Sequence, residues 1–154
     1  MRIDLHGAAP GVHSAMARFD AAASRELDPG LAELVRVRAS QLNGCALCLG
    51  LHTRAALEAG EDEARLRTLA LWRDSPLFTG PERAALALTE SMTRIEEAGV
   101  PEEVFAAAGE HFDETRLAHL LWTIAAINAW NRVAIAAAPP AAPPAAPPSA
   151  PPAG

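Results

Sequence analysis

The sequence predicts an all-α protein, a bundle of six or seven helices, and three observations carry that prediction. Apolar residues recur three and four apart through most of the chain, cap-forming residues punctuate those runs, and no stretch alternates apolar and polar residues as a half-buried strand does.

Val12, Met16, Phe19 and Ala23 mark a first helix from Ala9 to about Ser24, stopped by LDPG. Asp28 then stands as an N-cap with Pro29 at the first helical position. The second helix runs from there to Asn43-Gly44, where glycine can take the left-handed conformation, and Glu33 falls in its first or second turn. A third helix carries Cys45 to Ala59 and ends at Gly60, so the second and third form a hairpin across the tight Asn43-Gly44 turn. Leu66, Leu69 and Trp72 lie along a fourth, about Asp62 to Arg73, before the interruption SPLFTG. Thr79 and Glu82 fit a capping box with Pro81 between them, which predicts a fifth helix from about Gly80 to Glu97, closed by Gly99. Pro101 opens a short helix ending near Gly109. Asp113 caps a long last one, through Leu117, Leu120, Leu121, Ile124 and Ile127, to about Ala138.

With 154 residues, half of them apolar, the chain is expected to form one helical domain over residues 1–138. From residue 139 to 154 it is an Ala/Pro-rich tail with no charge and nothing large to bury, expected to be disordered and partly polyproline II, a passive extension. A net charge of -6, with Lys and Arg interspersed among acids, disfavours a nucleic-acid partner. The N-terminal MRIDLHGAAPG lacks the apolar run of a signal peptide. The apolar LLWTIAAINAWNRVAIAAA is interrupted by Asn128, Asn131 and Arg132, which favours a buried helix over a membrane span. The expected localisation is cytoplasmic. In that reducing compartment two cysteines do not serve as a structural staple.

Their spacing therefore calls for another explanation. In GCALCLGLH, residues 44–52, each step along a helix turns about 100°, which puts Cys45, Cys48 and His52 within a sector of roughly 60°. Leu47, Leu49 and Leu51 lie at its edges or away from it and can form an apolar wall. Cysteines three apart at a helix start can be joined by a disulfide with little movement, and either sulfur can act as the attacking or leaving thiolate. A thiolate that attacks a peroxide O–O bond becomes a sulfenic acid, which the second thiol converts to a disulfide. The helix dipole by itself favours Cys45 as the more acidic thiol. A metal site formed by Glu33, Cys45, Cys48 and His52 is the rival reading. It lacks the second Cys or His pair usual in structural zinc sites, and the expectation is no metal and no cofactor beyond the cysteine pair. An inert pair of buried cysteines is the plainest alternative.

The stretch ELVRVRASQLNGCALCLGLHTRAALEAGE resembles the core of the alkylhydroperoxidase D-like branch of the carboxymuconolactone decarboxylase family, whose signature is Glu, eleven residues, then C-x-x-C-x-x-x-H. Glu33, Cys45, Cys48 and His52 occupy those places, and LALWRDSPLFTGPERAALALTESMTRI and INAWNRVAI are similar too, so the resemblance covers residues 10 to 137. It implies an all-helical fold assembled into trimers or hexamers. It also implies a thiol-dependent peroxidase acting on hydrogen peroxide or organic hydroperoxides, with a thiol or lipoyl-type reductant. By that resemblance Cys48 is the peroxidatic thiol, Cys45 the resolving one, and Glu33 and His52 a proton relay. Some members carry a further histidine between the cysteines, where this sequence has Ala46 and Leu47. The cysteine pair argues against the lactone decarboxylation of the broader family. A disulfide carrier with little peroxidase activity, or a non-redox oligomeric binding module, are the alternative functions.

Outside the motif, His6, His13, His111 and His119 read as surface or hydrogen-bonded structural histidines, His13 being the one that the N-terminal helix could bring near the site. Trp72, Trp122 and Trp130 read as core or interface anchors. Asn128 and Asn131 need partners if buried, at a neighbouring helix end or in another subunit. GEDE at 60–63 reads as a helix start.

Overall fold

A computed structural model describes residues 2–139. Cap residues start the helices where the sequence places them. The Asp28 carboxylate accepts from the Leu31 N–H at 3.1 Å ahead of Pro29, Asp113 accepts from Arg116 N–H at 2.8 Å, and Glu82 accepts from Thr79 N–H at 2.7 Å. Asp62, in the GEDE stretch, caps its helix through the Ala64 N–H. The resulting elements are α1 (Leu5–Ala8), α2 (Pro10–Ala23), α3 (Pro29–Asn43), α4 (Ala46–Glu58), α5 (Glu63–Thr68), a 3-10 turn (Leu69–Leu71), α6 (Gly80–Thr93), α7 (Ile95–Ala98), α8 (Glu102–Gly109) and α9 (Glu114–Ala137). Among the described residues there is no strand. The expected Ala/Pro-rich tail, from residue 140 onward, lies outside them.

Among the described residues nine helices replace the six or seven expected, because two single-turn helices carry too few residues for a periodic pattern: α1, capped by Asp4, and α7. Arg94 breaks the predicted fifth helix between Thr93 and Ile95, leaving the helical region at φ -109° and ψ 42°. The predicted fourth helix tightens to a 3-10 turn after Thr68. Leu66, Leu69 and Trp72 are spaced by three, and in a 3-10 helix residues three apart line up, so this turn keeps Leu69 and Trp72 pointing into the core. The apolar spacing of α2 translates poorly into burial: Ala23 is buried, but Val12 is 72% exposed.

Helix α3 runs through the middle of the bundle, packed on α4, α6 and α9. Val35 joins one core cluster with Leu88 of α6, Ala108 of α8, and Leu120 and Ile124 of α9. Leu34 and Val37 join a second with Ala56 of α4, Leu66, Leu69, Trp72, Phe78 and Leu86. Fully burying side chains of this size contributes about 1.5–3 kcal/mol each. Helix α9 is long and apolar enough to cross a membrane by length and composition. In this fold it is a packed element of the bundle, in contact with α2, α3, α4, α6 and α8. Its asparagines are buried and partnered within the chain. Asn43 at the end of α3 donates to the side-chain oxygens of Asn128 (2.9 Å) and Asn131 (2.8 Å), Asn131 donates to Ser40, and Asn128 donates to Thr93.

Candidate active site

The α3–α4 turn sets the site. Gly44, at φ 68°, ends α3 in the left-handed region that a side chain disfavours, and the Cys45 N–H returns to the Ser40 carbonyl at 3.1 Å. Cys45 is thereby the N-cap of α4, at φ -84° and ψ 92°, one residue ahead of a helix that the sequence predicts to begin at Cys45 itself. The cap takes extended backbone because its own carbonyl already serves the first helical hydrogen bond, to Leu49 N–H. Cys48 lies one turn in. The two are joined by a disulfide with a Cα–Cα distance of 5.4 Å, and the Cys45 sulfur also accepts from the Cys48 N–H at 3.3 Å. Both cysteines are buried, at 3% and 5% exposure.

One turn further along α4, His52 meets Glu33 of α3, with Nδ1 2.8 Å from Oε2. The other carboxylate oxygen, Oε1, accepts from Arg36 Nη1 at 2.6 Å. Burial alone would raise the Glu33 carboxyl. The hydrogen bond from His52 and the Arg36 charge outweigh it and hold the group below the ordinary glutamate value of 4.5. An ionised Glu33 can only accept, so His52 Nδ1 carries the proton and donates. In the neutral imidazole that tautomer leaves Nε2, which has no hydrogen-bond partner among the described residues, as an acceptor.

A cavity of about 870 Å³ opens onto these groups, and Glu33, Arg36, Cys48 and His52 all line it. Cys45 does not, so the two cysteines of the disulfide differ in their access to it. The wall is mostly apolar. Leu47 and Leu51, 60% and 55% exposed, form one rim with Ala55, and Trp130, Val133, Ala134 and Ala137 of α9 form the facing side. Leu49 instead packs on the core. Asp4, Leu5 and His6 approach from the N-terminal segment, which is tied to α9 by the Arg2 N–H on the Ala137 carbonyl at 2.8 Å. With the sulfurs joined, and the carboxylate and imidazole bonded to each other, these four side chains do not converge as metal ligands. Among the described residues no three His, Cys, Asp or Glu side chains do.

Residues 10–91, more than half of the chain, match the model of the carboxymuconolactone decarboxylase family. The chain belongs to the carboxymuconolactone decarboxylase family. Its relatives within reach of sequence comparison include YdfG of Bacillus subtilis (strain 168), an uncharacterized protein 41% identical over 104 residues, 68% of this chain and 71% of that one. YnjA of Escherichia coli (strain K12), also uncharacterized, is 31% identical over 94 residues, 61% of this chain and 51% of its own length. Among solved structures, a protein of unknown function from Agrobacterium tumefaciens, described as a candidate AhpD antioxidant defence protein, superposes with a TM-score of 0.85 at 32% identity. That match spans 88% of this chain and 93% of that one. Within the carboxymuconolactone decarboxylase family the fold is thus of the alkylhydroperoxidase D-like branch.

All four residues read from the sequence meet at one place, with Cys45 set back. Arg36, Asp20 and the α9 wall were not legible as parts of it. Arg36 has a local signal, an opposite charge three residues from Glu33 on the same helix face, and the wall has another, a second apolar stripe at 130, 133, 134 and 137 beside the core stripe of α9. His13, edge-on to Trp130 at 5.2 Å, lines the cavity as the N-terminal helix brings it there. His6 is exposed, as a surface histidine, and lines the cavity as well. His119 is structural, bonded to the Ala23 carbonyl at 2.8 Å. Trp72 is a core anchor, Trp130 faces the cavity, and Trp122 is exposed.

Proposed function

We propose that the protein is a thiol-dependent peroxidase that reduces hydrogen peroxide or organic hydroperoxides by cycling the Cys45–Cys48 pair between dithiol and disulfide. The observation that carries this reading is the unequal access of the two cysteines: Cys48 lines a cavity that His52 and Glu33 also line, and Cys45, joined to Cys48 by the disulfide, does not.

In the reduced protein His52 Nε2 accepts the Cys48 proton, and the thiolate attacks the hydroperoxide. The O–O bond breaks, the proton on His52 goes to the departing alkoxide or hydroxide, and Cys48 becomes a sulfenic acid. The Cys45 thiolate then attacks the Cys48 sulfur, hydroxide leaves and is protonated to water, and the disulfide forms. A dithiol of the lipoyl type, or another thiol, entering the cavity attacks Cys48 and expels Cys45 as a thiolate. The Cys48 N–H and the start of α4 are placed to stabilise that leaving group. The acidity that the helix dipole lends Cys45 thus belongs to the return half of the cycle. No other cofactor takes part, and lactone decarboxylation would leave the cysteine pair idle.

We place this chemistry in the cytoplasm, where dithiol reductants keep the pair cycling, and in a homo-oligomer, a trimer or hexamer. Leu47, Leu51, Val12 and Trp122 are exposed apolar side chains that self-association would cover. No nucleic-acid or membrane partner is part of the reading.

The test adds one equivalent of hydroperoxide to the reduced protein and maps the cysteines by mass. Wild type should consume the peroxide and form the Cys45–Cys48 disulfide, Cys45→Ser should accumulate a trappable sulfenate on Cys48, and Cys48→Ser should be inactive. Peroxide consumption at the wild-type rate by Cys48→Ser would sink the assignment. A pair that exchanges with dithiols yet ignores peroxide would make the protein a disulfide carrier, and two unreactive thiols a binding module.

A further inference from the structure

The carboxylate that holds His52 is itself held. Arg36 lies one turn along α3 from Glu33, both side chains nearly buried at 10% and 12% exposure. Its Nη1 occupies Glu33 Oε1, while Nη2 reaches across to α2 and donates to Asp20 Oδ1 and Ser24 Oγ, each at 2.9 Å. The two oxygens of Glu33 are thereby divided, one to Arg36 and one to His52. The carboxylate cannot turn without losing a charge-assisted bond. The guanidinium is kept here although its Nε–H is buried with no hydrogen-bond partner among the described residues, a donor that a surface salt bridge would leave to water. Asp20, Glu33, Arg36 and His52 line the same cavity as Cys48.

We propose that Arg36 is a positioning residue for the Cys48 chemistry: anchored by Asp20 of α2 and by Ser24 at that helix's C-cap, it fixes the Glu33 carboxylate so that His52 keeps its proton on Nδ1 and offers Nε2 to the Cys48 thiol. This rests on the reading of Cys48 as the cavity-facing nucleophile. Without Arg36 the carboxyl is buried with only the imidazole to favour its charge. It protonates more readily, and a protonated Glu33 can donate to Nδ1, which moves the imidazole proton to Nε2 and removes the base. Depression of the Glu33 carboxyl by Arg36 agrees with this. The other titratable groups lining the cavity are Asp4 and His6 of the N-terminal segment and His13 and Asp20 of α2, and none of them replaces the Arg36 contact with Oε1.

The test needs no peroxide. In a Cys45→Ser background, the rate of Cys48 alkylation by iodoacetamide is followed against pH, and the His52 tautomer by nitrogen-15 NMR, for the otherwise native protein, Arg36→Gln, Arg36→Lys and Asp20→Asn. Arg36→Gln is expected to move the acid limb up by about one pH unit, slowing alkylation on that limb roughly tenfold, and to shift the His52 signal toward Nε2–H. Arg36→Lys should recover part of both effects. Asp20→Asn, which leaves Glu33 and Arg36 in place, should move both in the same direction by less, and it decides the matter if Arg36→Gln does not fold. Unchanged limbs and an unchanged tautomer in the folded variants would overturn the proposal. The shifts in a protein that consumes no peroxide would leave Arg36 in this role and remove the peroxidase reading alone.

Discussion

Asn43, Asn128 and Asn131 bind three parts of the fold through single atoms. Asn131 is fully buried, accepts from Asn43 and donates to Ser40, so its removal strands polar groups at the end of α3, next to the turn that holds Cys45. Asn131→Ala should cost about 2–3 kcal/mol, read as the shift in a urea unfolding midpoint, because each buried group left unpaired carries a desolvation cost of about 1–3 kcal/mol. Glu90 has a similar place on the opposite side of α3. It accepts from Trp72 Nε1 at 2.9 Å and from Arg38 Nε at 2.8 Å, and it also pairs with Arg73. Glu90→Ala leaves a nearly buried guanidinium facing an unpaired indole, and should destabilise by about 3 kcal/mol, again by denaturant titration. The sequence raised the question of partners for Asn128 and Asn131. It could not name Asn43, some 85 residues away, because such pairs form only when two helices cross.

At the scale of elements, the decisive one is the α3–α4 hairpin, and it was nearly complete in the sequence. Asp28, Pro29 and Gly44 fix the ends of α3, and the C-x-x-C-x-x-x-H spacing fixes the face of α4 that follows. At Gly44 nothing lies within 4 Å of where a Cβ would be placed, so the cost of a side chain there is conformational alone. Gly44→Ala should cost about 1–2 kcal/mol by thermal or urea unfolding, and it should perturb the reactivity of Cys45 more than any core substitution of equal cost. The start of α4 carries a second expectation. When a small dithiol reduces the disulfide, the mixed disulfide trapped by rapid acid quench and mass mapping should sit on Cys48, with Cys45 as the free thiol. A predominant adduct on Cys45 would reverse the order of attack. The elements that the sequence did not resolve are short. Single turns such as α1 and α7 have no period to read, and the 3-10 turn after Thr68 resembles a continuing helix until packing selects the tighter winding.

For the whole molecule, acid should be the condition that unfolds it. Glu33, Glu82 and Glu90 are each partly buried, which by itself raises a carboxyl. Their hydrogen bonds and ion pairs, from His52 and Arg36, from Thr79 and Arg65, and from Trp72, Arg73 and Arg38 respectively, outweigh burial and lower all three below 4.5. A carboxyl whose value is lower in the folded chain than in the unfolded one stabilises the fold above the unfolded value, and that contribution is lost as pH falls through the folded value. Melting temperature should therefore be level with respect to these groups above about pH 5.5, decline as pH passes below 4.5, and decline less steeply in Glu90→Gln. A melting curve independent of pH down to 3 would contradict the three ion-pair networks.

The sequence by itself determined the longer helices, because periodicity and caps are local: Asp28, Gly44, Thr79 with Glu82, and Asp113 each act within one turn of chain. It also placed Cys45, Cys48 and His52 on one helix face by their spacing, and the family resemblance added Glu33 to them. Only the tertiary structure decided what surrounds them. Docking of α2 and α9 on the α3–α4 hairpin made a cavity that Cys48 lines and Cys45 does not, and carried Asp20 to Arg36. Those relations depend on helix crossings between residues far apart in sequence, and no short-range pattern encodes the distance between two side chains that meet only after the helices have packed.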